Sequence, residues 1–112
     1  MRQVFHRGLA ALGAVLTVLL AAGTPAPAQD MTAQGRALLQ EFCARCHAIG
    51  RSGASPHVGA PPFRTLGRSF DLDQFPRLLE RGISSGHPDM PEFRFSEDDA
   101  RAVRAYLFTI QQ

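Results

Sequence analysis

The sequence predicts an all-α chain of three to four helices gathered around a short cysteine-bearing turn, and three observations carry that expectation. Apolar residues recur at helical spacing in three stretches, within 31–42, within 71–81 and after Ser96. The segments between them are dense in Gly and Pro, which excludes long regular structure there. Downstream of residue 28 no stretch alternates apolar and polar residues as a half-buried strand does, and no internal repeat appears.

The chain opens with Arg2 and Arg7 and no acid, then runs apolar from Leu9 to Ala22, and Ala26-Pro27-Ala28 offers small residues to a signal peptidase. This is the layout of an export signal, with cleavage expected between Ala28 and Gln29. An uncleaved anchor needs roughly 20 apolar residues to cross the hydrocarbon core, and Leu9–Ala22 is shorter. The expectation is therefore a removed segment at 1–28, a single domain at 29–112, a periplasmic destination and no membrane attachment after cleavage.

The first helix is expected over Met31–Phe42, with Thr32 as N-cap before Ala33. Leu38 and Phe42 share one face, Gly35 and Leu39 another. A mid-helix Gly costs about 1 kcal/mol relative to Ala, so Gly35 points to a close approach by another backbone. Ala48 to Arg68 holds four Gly and three Pro and reads as a loop, long enough in a small domain to imply a functional role. Inside it, Pro61-Pro62-Phe63 offers a rigid backbone carbonyl and an aromatic side chain.

Leu72, Phe75, Leu78 and Leu79 mark a short helix ending at Gly82. Pro76 is tolerated only in a first turn, which places the start near Asp73. The following loop, Ile83 to Pro91, carries one soft sulfur donor, Met90. Ser96 then caps the last helix, Asp98 and Asp99 favour its positive end, and Ala100, Val103, Tyr106 or Leu107, and Ile110 form its buried stripe.

Between the first helix and the long loop stands Cys43-Ala44-Arg45-Cys46-His47, which holds both cysteines of the chain. A plain disulfide leaves His47 without a role. A thioredoxin-like pair belongs at the start of a helix in a βαβ unit, whereas this one follows a helix. Zinc needs four ligands at tetrahedral spacing. The C-x-x-C-H run instead has the form of a c-type haem attachment site, with two thiols placed to add to the haem vinyl groups and an imidazole next to them for the iron. A covalent haem also supplies apolar bulk that a domain of this size is short of.

Charge excludes more than it assigns. Loss of Arg2 and Arg7 takes twelve basic residues to ten, against ten acidic ones, and no one-sided basic face of the kind that binds nucleic acid is present.

In this order of parts the chain resembles the small bacterial mono-haem class I c-type cytochromes. The resemblance implies the small cytochrome c fold, with N- and C-terminal helices crossing over one covalently bound haem c. It also implies Cys43 and Cys46 as thioether sites, His47 and Met90 as axial iron ligands, and Pro61 as the carbonyl that orients His47, while Phe63 is expected against the haem. His87 and His57 are the rival sixth ligands. Gly35, Leu39 and Tyr106 match the family's helix contact, and Arg64 or Arg68 stands where a propionate partner is wanted. The function implied is an electron-transfer protein, not an enzyme, that works with protein donors and acceptors as a monomer or as a subunit of a redox complex. A five-coordinate peroxidase or gas binder is the alternative if Met90 stays off the iron.

Overall fold

Helix α1 of the computed structural model, which describes Gly23 and residues 27–112, runs Pro27–Phe42. The expected export segment at 1–28 therefore lies almost wholly outside the described residues. The helix starts four residues before the expected Met31. Pro27 has no N–H to leave unpaired in a first turn, and Asp30 faces the positive end of the helix. Thr32 is not the cap: its hydroxyl donates back to the Ala28 carbonyl at 3.0 Å, inside the helix.

A 3-10 helix at Phe63–Arg68 replaces the end of the expected irregular loop. Its turns close within three residues and so fit between Pro62 and Ser69, where a longer α-helix cannot. Helix α2 spans Phe75–Arg81 with Pro76 in its first turn. It begins two residues after Asp73, because the Asp71 carboxylate accepts from Asp73 N at 2.9 Å and holds a turn there. Gly82, at φ 99°, ends it in a conformation other residues resist.

Helix α3 runs Glu97–Ile110 with Ser96 as its cap, the Ser96 hydroxyl accepting from Asp99 N at 3.2 Å. The expected stripe is buried along its whole length: Ala100, Val103, Tyr106, Leu107 and Ile110. They meet Leu39, Leu66, Leu72, Phe75 and Leu79 in one core. The fold is all-α, and among the described residues the one strand-like pairing is an isolated antiparallel bridge between Ile83 and Phe93.

Helices α1 and α3 pack backbone to backbone at Gly35. A Cβ there would lie 1.9 Å from the Ala102 carbonyl oxygen and 2.9 Å from Val103 N, so the close approach read from the sequence is made by Ala102 and Val103. Tyr106, one turn further along, donates its buried hydroxyl to the Ile49 carbonyl at 2.9 Å. That bond fixes the chain just after the cysteine turn. An Arg104–Asp73 ion pair ties α3 to the entry of α2.

Candidate functional site

A cavity of about 690 Å³ lies between the end of α1, the 57–63 loop, α2 and the 82–95 segment, a size typical of sites for bound small molecules. Its walls are largely apolar, with Leu39, Leu66, Leu78, Leu79, Ile83 and Val103 among them. A second, open hollow of about 760 Å³ along α1 is lined by Ala28, Ala33, Ala37 and Tyr106 among others, with no thiol, imidazole or thioether on it. The reactive side chains collect in the first.

Helix α1 runs into the cysteine turn without a break. Cys43 N and Ala44 N both donate to the Leu39 carbonyl, and the Cys43 carbonyl accepts from Cys46 N at 3.1 Å and His47 N at 2.9 Å. One extra turn of chain thus brings Cys43, Cys46 and His47 to the same cavity wall. Both thiols are free. Burial, and then the neighbouring Cys46, push the Cys43 thiol up to about 11.

His47 Nδ1 lies 2.7 Å from the Pro61 carbonyl oxygen. A carbonyl cannot donate, so Nδ1 carries the proton and Nε2 is left with its lone pair. Phe63 packs on the same imidazole, ring centroids 4.6 Å apart, and donates its N–H to the Ala48 carbonyl at 2.9 Å. The long loop therefore returns to the residue it started from. Pro61 and Phe63 line the cavity beside His47.

Met90 is half-buried on the cavity wall, in a loop hung from the Ile83–Phe93 bridge, where Ile83 N donates to the Phe93 carbonyl at 3.0 Å. Within that loop Met90 N donates to the His87 carbonyl at 3.1 Å. His57 and His87 also reach the cavity, each with one ring nitrogen beside Asp89. His57 Nε2 pairs with the Asp89 carboxylate at 3.5 Å, and His87 Nδ1 accepts from Asp89 N at 3.3 Å. Accepting at Nδ1 places the proton of a neutral His87 on Nε2, the nitrogen a metal would need.

Neither Arg64 nor Arg68 is on the cavity wall; Arg64 donates to the Gly53 carbonyl at 2.8 Å. Arg45, inside the C-x-x-C-H run, is the arginine that borders the cavity. Phe93 and Phe95 are half-buried and stack edge-on against Phe42 at 6.0 and 5.7 Å, all three lining the cavity. Sequence reasoning missed Gln111 altogether. Its side chain donates to the Phe63 and Leu107 carbonyls, both at 2.9 Å, and accepts from Gly67 N at 2.8 Å.

These walls fit a flat, mostly apolar group held by two thiols and one imidazole. Residues 30–107 match the family model described as Cytochrome C oxidase, cbb3-type, subunit III. No curated protein and no solved structure matches the chain.

Proposed function

The chain belongs to the cbb3-type cytochrome c oxidase subunit III family, a c-type cytochrome domain suited to haem-based electron transfer, and we propose that it is an exported carrier of single electrons with one haem c. Cys43 and Cys46 hold the group through thioethers, and His47 and Met90 are its iron ligands. When bound, the haem supplies a metal that takes up and gives back one electron.

The observation that carries this reading is the His47–Pro61 contact of 2.7 Å on a cavity wall shared with both thiols. It holds the imidazole in the tautomer that leaves Nε2 for iron, and the hydrogen bond makes the ring a stronger donor. The Met90 thioether is half-buried on the cavity wall, whereas the Nε2 of His57 is turned to the Asp89 carboxylate and the Nδ1 of His87 accepts from Asp89 N, which favours Met90. Leu39, Leu78, Leu79 and the Phe42–Phe93–Phe95 cluster give the cavity an apolar lining, and apolar surroundings raise a haem potential.

A second reading comes from the family description, which names a subunit of an oxidase: the domain serves as a fixed haem subunit of a larger exported redox complex. Among the described residues no helix is long and apolar enough to cross a membrane. Purification of untagged protein from the periplasm separates the two readings, a monomer supporting the free carrier and a constant second chain the subunit. The ligand set is tested by the ferric absorption spectrum of that protein. The expected weak long-wavelength sulfur-to-iron band should vanish in Met90→Ala; an unchanged spectrum in the variant overturns the ligand assignment.

A further inference from the structure

We propose that Gln111 is a positioning residue for the iron-binding imidazole, fastening the Pro61–Phe63 segment to α3 and so fixing the orientation of His47; this rests on His47 being the ligand. The segment that orients His47 is poor in ways to be held. Pro61 and Pro62 have no N–H, so beyond the Phe63 N–H its backbone can be tied only through carbonyls.

Those three carbonyls have different partners. Pro61 oxygen accepts from His47 Nδ1 at 2.7 Å. Pro62 oxygen is bonded locally, by Thr65 N at 3.2 Å and the Thr65 hydroxyl at 3.0 Å. Only the Phe63 oxygen reaches the end of α3, through Nε2 of its C-cap residue Gln111 at 2.9 Å.

Gln111 is itself held in place. Its second N–H goes to the Leu107 carbonyl, one of the oxygens that the end of α3 leaves unpaired, and its amide oxygen accepts from Gly67 N. A Cβ at residue 67 would come within 3.0 Å of that oxygen, so Gly67 leaves the room the amide uses. Leu107 is wholly buried. The most buried helix thus reaches His47 through one amide, one carbonyl and the Phe63 ring.

Gln112 supplies the control. Its side chain donates to the Arg51 carbonyl at 2.9 Å and its N–H to Arg64 oxygen, so it braces the same loop without its side chain touching the Pro61–Phe63 segment.

The test is the hydrogen-exchange rate of the His47 Nδ1 proton in the haem-loaded ferrous protein, followed by NMR together with the melting temperature. Gln111→Ala should speed exchange roughly five- to tenfold, the factor by which loss of about one net hydrogen bond shifts a local opening equilibrium. Gln111→Glu keeps the acceptor for Gly67 N while losing the donor to Phe63, and should show the same direction if the alanine variant does not load. Gln112→Ala should leave the rate unchanged. A wild-type rate in both Gln111 variants overturns the inference, as does equal acceleration in Gln112→Ala. Absence of a slowly exchanging Nδ1 proton in the wild type instead overturns the His47–Pro61 reading itself, and the inference with it.

Discussion

Replacing Gly35 with Ala would put a methyl group 1.9 Å from the Ala102 carbonyl oxygen, where real Cβ contacts stay beyond 3.0 Å. The obstacle is backbone and cannot rotate aside, so α1 and α3 must separate by the difference. Overpacking of this kind costs typically about 1–3 kcal/mol, and a contact this short belongs at the upper end. Ala regains about 1 kcal/mol of helix propensity over Gly, leaving a net loss of about 2 kcal/mol. In a domain of this size each kcal/mol moves the midpoint by about 4–8 °C, so the haem-loaded variant should melt about 8–16 °C below wild type by far-UV circular dichroism. Gly50→Ala, where a Cβ meets nothing within 4 Å, is the matched control and should shift the midpoint little. A Gly35→Ala protein that melts at or above the wild-type temperature would refute the backbone contact between the two helices.

Tyr106→Phe removes the donor to the Ile49 carbonyl and should cost about 1–2 kcal/mol in urea unfolding, since the carbonyl is left buried and unpaired. Ser96→Ala removes the acceptor for Asp99 N and should lower stability by about 1 kcal/mol in the same assay. In the haem-free chain the Cys43 thiol ionises at about 11 when folded against an ordinary 9.0. The unfolded chain therefore sheds that proton first as pH rises, and stability should fall across the window from 9.0 to about 11. Urea midpoints on either side of that window, with Cys43→Ala lacking this part of the slope, check it. Once the thioether has formed there is no thiol proton, and the loaded protein should lack that contribution too.

What was legible in the sequence was what neighbouring residues decide. Pro76 and Gly82 bracket α2 because one tolerates a first turn and the other a positive φ, and Ser96 with its acids announces α3. Thr32 misled for a local reason: a Thr before a helical run reads as a cap, yet the same hydroxyl can bond back to the Ala28 carbonyl within a helix that Pro27 has already opened. The 3-10 helix at 63–68 was hidden because two tight turns need little periodicity to form. At the site, the cysteine turn was readable from five consecutive residues. The Pro61 carbonyl, fourteen residues from His47, was legible only through the family resemblance, and Gln111, forty-eight residues from Phe63, not at all. An amide that bonds backbone carbonyls leaves no pattern in sequence spacing.

The central claim, a haem iron closed by His47 and Met90 and so reserved for electron transfer, is tested most directly by mixing carbon monoxide with the reduced protein. A six-coordinate iron offers no vacant position, so the wild type should bind carbon monoxide slowly and incompletely, and Met90→Ala should bind it at once. Rapid, complete binding by the wild type would contradict the account and make the protein a five-coordinate gas binder or peroxidase.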